Sequence, residues 1–91
     1  MSAHQILITA ANTLLGRAAD RDIEQERSMQ RIVKCFNAAS GHSISERDGW
    51  LFMVCLKLCR ATTTAVGKED DYVDGAAYFA LAGESVENVN V

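Results

Sequence analysis

Ninety-one residues, 48% hydrophobic and 23% charged, make one small domain with enough apolar material to close a core and too much for a disordered chain. Nine Lys and Arg against twelve Asp and Glu leave a net charge of −3, which offers no global attraction to a nucleic-acid backbone or an anionic membrane. With zero prolines and six glycines for punctuation, the composition points to an all-α fold.

The chain opens on Ser2-Ala3-His4-Gln5, the spacing of a capping box, and apolar residues recur at helical spacing until Gly16, so a first helix is expected near residues 3–15. Residues 1–15 lack the basic start and long apolar stretch of a signal peptide and read as part of the fold. Residues 17–26 are polar and charged with both signs, a connection running into the next helix. Met29, Ile32, Val33 and Phe36 then fall at i, i+3, i+4 and i+7, the apolar stripe of a second helix near 24–39 that stops at Ser40-Gly41.

Ser43 or Ser45 caps a third helix, expected at 46–63. Residues 50–56 are apolar around the full circumference, as in a central helix packed on several sides, and the run is far short of the roughly 20 residues that cross a bilayer. The β-branched Thr62-Thr63-Thr64 ends it. A fourth helix, capped by Asp70 or Asp71, is expected at 71–82, with Gly83 as its stop. The expected architecture is a compact four-helix domain over residues 1–83 with a central apolar third helix, followed by a mobile tail at 84–91. Trp50, Val54, Phe36, Ile32 and Leu58 are the expected core.

Asp71, Asp74 and Tyr78 share one face of the fourth helix, and two carboxylates one turn apart can share a divalent cation such as Mg²⁺. The competing reading has Asp70 and Asp71 capping the helix while Asp74 pairs with Lys57 or Arg60, the two cations that interrupt the third helix and could instead meet a phosphate. Arg27, Arg31 and Lys34 form a basic stripe on the second helix, either solvated or a docking surface for an acidic partner. Lys68, Glu69 and Asp70 add a charged turn before the fourth helix. Three cysteines, Cys35, Cys55 and Cys59, cannot all pair within one chain, which favours buried, reduced thiols and a cytoplasmic setting. His4 and His42 have no nucleophile partner that would build a catalytic triad.

From residue 26 to about 84 the sequence resembles a family of short, uncharacterised phage and prophage proteins with a Met-x-x-x-Lys-x-x-Arg helix and a following Asp-x-x-Asp-Gly/Ala-x-x-Tyr. Met53, Lys57 and Arg60, then Asp71, Asp74, Gly75 and Tyr78, carry that pattern here. More remotely, the last helix is similar to the second metal-binding helix of MazG-type all-α nucleotide pyrophosphohydrolases, which would imply Mg²⁺ held by Asp71, Asp74 and one of Glu24 or Glu26. The MazG-type Glu-x-x-Glu is missing from the third helix, and Glu24 and Glu26, two residues apart, point about 200° apart on a helix. Many phage relatives also carry an Asp-x-x-x-Tyr-Gly stretch and an Asn where this chain reads from Asp20 to Ser28 without either.

The incomplete ligand set favours a non-enzymatic phage accessory protein that uses no cofactor and inhibits a host protein by binding it, as an anti-defence factor would. A Mg²⁺-dependent nucleotide pyrophosphohydrolase, or a nucleotide-binding relic of one, is the alternative. Self-association, as a homodimer, is expected from the small-residue face of Gly75, Ala76, Ala80 and Gly83 and from the size of the apolar third helix.

Overall fold

A computed structural model describes residues 1–20, 28–63 and 68–89. They form four helices, α1 (Ala3–Asp20), α2 (Ser28–Ser40), α3 (Glu46–Thr63) and α4 (Glu69–Val89), and no strand appears among them. The all-α architecture expected from composition is therefore the one observed.

Local chemistry explains the helix starts. At α1 the backbone N–H of Gln5 donates to Ser2 Oγ at 3.1 Å while that of Ser2 donates to Gln5 Oε1 at 2.8 Å, the reciprocal pair of a capping box. Ser45 and Asp48 repeat the device at α3, with Ser45 N–H to Asp48 Oδ2 at 3.0 Å and Asp48 N–H to Ser45 Oγ at 3.1 Å. Ser45 is thus the cap, and Ser43 is not. Gly41, at φ +79°, takes the left-handed conformation that closes α2, where an L side chain would be strained. The turn that follows is held by Asn37, whose amide donates to the Ile44 carbonyl and whose oxygen accepts from the Ile44 N–H, each at 3.0 Å.

Three helix ends differ from the sequence expectation. α1 continues past Gly16 to Asp20, because one glycine costs a helix only about 1 kcal/mol and Arg17-Ala18-Ala19 are good helix formers. α4 begins at Glu69, so Asp70 and Asp71 stand inside its first turn, and it continues past Gly83 to Val89. The buried Ser85 hydroxyl donates back to the Leu81 carbonyl at 2.9 Å and keeps that turn polar-satisfied within the packing. The expected start of α2 at residue 24 lies outside the described residues.

α3 packs extensively against α4, α4 also carries α1, and α2 touches α3 near its start. The core follows these contacts and is built from small side chains. Ala10, Val73 and Ala77 join α1 to α4, with Ile6, Leu14 and Ala76 around them. Met29 and Val33 of α2 meet α3 at Gly49, where an added Cβ would lie 2.4 Å from Met29 Sδ and 3.0 Å from Val33 Cγ2. The expected core needs correction here. Trp50 and Val54 are only half-buried, and Ile32, Phe36 and Leu58 are exposed. α2 meets α3 through the buried Met29 and Val33, while Ile32, at the other edge of its stripe, is 57% exposed. Phe36 instead stacks on His42, with ring centroids 5.8 Å apart. Cys35, Cys55 and Cys59 are free as expected, yet all three are exposed rather than buried. α3 turns only one side toward α2 and α4, and Cys55 and Cys59 lie on the other.

Candidate functional site

The face of α4 that carries Asp71, Asp74 and Tyr78 meets α3 running the opposite way, and each residue finds a partner there. Arg60 Nε lies 3.4 Å from Asp71 Oδ1 and Lys57 Nζ lies 3.1 Å from Asp74 Oδ2. Trp50 and Tyr78 stack with centroids 5.8 Å apart and planes 22° from parallel. Sequence spacing makes this ladder: 50, 57 and 60 share one side of α3 as 71, 74 and 78 share one side of α4, so antiparallel helices bring them into register.

Burial differs between the two ion pairs. Asp71 is the buried member of its pair and Arg60 the exposed one, whereas Lys57 and Asp74 are both largely covered. A carboxylate as enclosed as Asp71 needs a cation or hydrogen-bond donors to stay charged, and Arg60 supplies the charge. Among the described residues no buried side-chain nitrogen or oxygen lacks a partner. The reading in which Asp74 pairs with Lys57 is the arrangement found. Asp71 pairs with Arg60 and does not cap the helix; its own N–H donates to the Lys68 carbonyl at 3.0 Å.

Beside the ladder an open cavity of about 300 Å³ is lined by Val54, Lys57, Ala61, Asp71, Gly75 and Phe79, among others. Its walls are mostly apolar, and Lys57 and Asp71 are the charged residues among those that line it. The described residues contain no grouping of three or more His, Cys, Asp or Glu able to hold a metal ion. Asp71 and Asp74 by themselves do not fit a catalytic Mg²⁺ site, because each is already engaged by a protein cation. Glu24 and Glu26, the other carboxylates considered for such a site, lie outside the described residues, as does Arg27.

The remaining sequence candidates are scattered. Arg31 and Lys34 are exposed on α2, on the side away from Met29 and Val33. Lys68, Glu69 and Asp70 are exposed at the start of α4, and the amino-terminal ammonium pairs with the Glu69 carboxylate. No helix among the described residues is long and apolar enough to cross a membrane.

Sequence reasoning missed the Trp50–Tyr78 stack and the Asn37 clamp. The first was legible as two aromatic residues on facing helix sides, but only once the antiparallel pairing of α3 and α4 was known. The second has the signature of an Asn close to a helix end, which is too common to single out.

Residues 5–86 match DUF6378, a domain of unknown function. The chain belongs to this family. The DUF6378 match spans all four helices, so the ladder and the α1 contact lie inside one family unit. No curated protein and no solved structure matches this DUF6378 chain significantly.

Proposed function

We propose that this DUF6378 protein is a phage- or prophage-borne accessory factor that acts in the host cytoplasm, without catalysis, by binding and inhibiting a host protein. The observation that carries the reading is the pairing of both α4 carboxylates with α3 cations, which commits the most site-like residues of the chain to holding two helices together. Exposed charge suited to a partner lies at two places, Lys34 on α2 and the turn at Lys68 and Asp70. Contacts of this kind steer association and choose partners more than they set affinity. The resemblance to short phage proteins supports the source, and self-association as a homodimer belongs to the same reading.

A Mg²⁺-dependent nucleotide pyrophosphohydrolase, or a relic that still binds nucleotide, is the second reading. It is favoured by one observation, the cavity lined in part by Lys57 and Asp71, where an ammonium could meet a phosphate. The test of the first reading is affinity capture from bacterial lysate with wild type and with Lys34→Glu and Lys68→Glu. A stoichiometric protein partner that wild type retains and a charge reversal releases supports it. Equal recovery by all three proteins counts against these surfaces.

A further inference from the structure

α3 carries two thiols one helical turn apart. Cys55 and Cys59 stand at i and i+4 in the unbroken helix from Glu46 to Thr63, so both project from one side of it, and both are free and exposed. Free cysteine is among the residue types most often buried, and an exposed thiol is open to metals and oxidants. Core packing therefore does not account for this pair, and its chemistry is what the fold presents to solvent.

What the pair can hold follows from distance. Residues four apart on a helix have Cβ atoms about 5–6 Å from each other. A disulfide needs about 3.5–4.5 Å between its Cβ atoms, so the two sulfurs join directly only if the turn unwinds. Lys57 and Arg60, paired with α4, hold that same turn in place. A metal ion between two thiolates, with metal–sulfur bonds of about 2.3 Å, sets the sulfurs about 4.6 Å apart, slightly less than the Cβ spacing and reached by turning them toward each other. The helix thus opposes the disulfide and admits the metal bridge.

The ligand set also selects the metal. Zinc closes a structural site with four ligands, and the described residues contain no group of three or more His, Cys, Asp or Glu that could begin one. Hard cations such as Mg²⁺ take oxygen ligands, which a thiol does not offer. Thiolates select Cu(I), a soft monovalent ion that two sulfurs in line can satisfy. We propose that Cys55 and Cys59 clamp one Cu(I) ion between them on the side of α3 turned away from α4. Both S–H bonds break and two Cu–S bonds form; the two protons pass to the buffer, copper stays monovalent, and the site becomes singly negative. This site shares no residue with the partner surfaces at Lys34 and Lys68 or with the ion pairs of α4, so it stands or falls independently of them.

The test is titration of the full chain with Cu(I), kept reduced by ascorbate under nitrogen, in competition with the chromogenic chelator bicinchoninate, with helicity checked by circular dichroism. Cys35, the exposed cysteine of α2, serves as the control. Wild type and Cys35→Ser should each withdraw one copper per chain. Cys55→Ser and Cys59→Ser should each bind about a hundredfold more weakly or worse, because two linked ligands exceed a single one by a factor of about 10²–10⁴. No withdrawal by wild type overturns the site, as does full binding by either single variant of the pair. Half a copper per chain, or a loss in Cys35→Ser, would place the ion between copies or on other thiols and overturns it equally.

Thiol labelling of the unmodified chain decides the matter should a serine variant fail to fold. With one equivalent of Cu(I), a maleimide should react with Cys35 at its metal-free rate and with Cys55 and Cys59 about tenfold more slowly or less, since their sulfur electron pairs are committed to copper. Slowing at all three cysteines, at one of the pair alone, or at none refutes the clamp.

Discussion

Replacing Asp74 by Asn removes a charge and almost no volume, which isolates the Lys57 interaction. At 3.1 Å the two charges attract by about 5 kcal/mol with an effective dielectric constant near 20, and desolvation of both groups offsets most of that gross value. Exposed pairs contribute about 0–1 kcal/mol, while breaking a fully buried pair costs about 3–5 kcal/mol. With Lys57 at 13% and Asp74 at 25% side-chain exposure, the pair stands between those limits. The flexible lysine can carry part of its charge back to water, so Asp74→Asn should cost about 2 kcal/mol. In a domain of this size that corresponds to a fall of roughly 10 °C in Tm. Urea unfolding of wild type, Asp74→Asn, Lys57→Met and the double variant, at one fixed protein concentration, gives the coupling directly. A coupling of about 1–2 kcal/mol is expected, with the double variant more stable than the sum of the single losses implies. Additive losses, with coupling below about 0.5 kcal/mol, would refute the claim that this pair joins α3 to α4.

Ala77 is 1% exposed between α1 and α4, so Ala77→Leu should cost about 2–3 kcal/mol by overpacking, read as a lower urea midpoint. Glycines should split by position: Gly49→Leu collides with Met29 and Val33 and should cost about 3 kcal/mol, whereas at Gly75 an added Cβ meets Lys57 Cβ at an ordinary 3.7 Å, so Gly75→Ala should gain up to about 1 kcal/mol of helix propensity. Ser45→Ala should cost about 1 kcal/mol through loss of the α3 cap. The Ser45 backbone N–H, then its hydroxyl, then the Arg47 charge hold the Asp48 carboxyl below its ordinary pKa. A carboxylate held down in the folded state adds stability above its unfolded pKa, and that part is lost as pH falls from about 4 through the folded value. Thermal melts across that acid range should show a shallower loss in Ser45→Ala than in wild type.

Local signals carried the helices well. The capping boxes at Ser2 and Ser45 and the left-handed Gly41 are short-range devices, and each stands where sequence spacing puts it. Glycine misled at positions 16 and 83, because a single glycine marks a helix end only when the chain turns there, and a helix with cover on one side carries one at about 1 kcal/mol. The core was less legible. Periodicity shows which side of a helix is apolar but not how many neighbours that side meets, and Ile32, Phe36 and Leu58 lie on apolar sides yet are exposed. Asp74 was legible as a residue in need of a cation, and the spacing of Lys57 and Arg60 narrowed the choice to two. The partition that gives Lys57 to Asp74 and Arg60 to Asp71 depends on the register of two antiparallel helices, a property of the tertiary packing.

The acidic face of α4 pairs with α3 through Asp71 and Asp74, and the proposal that the protein acts by binding is tested most directly by Mg²⁺ and Mn²⁺ titration by calorimetry on wild type and Asp74→Asn, run together with phosphate and pyrophosphate release from a panel of nucleoside triphosphates. No saturable metal heat that depends on Asp74 and no metal-dependent turnover are expected. Saturable Mg²⁺ binding with nucleotide cleavage, both abolished by Asp74→Asn, would contradict the proposal and establish the hydrolase reading.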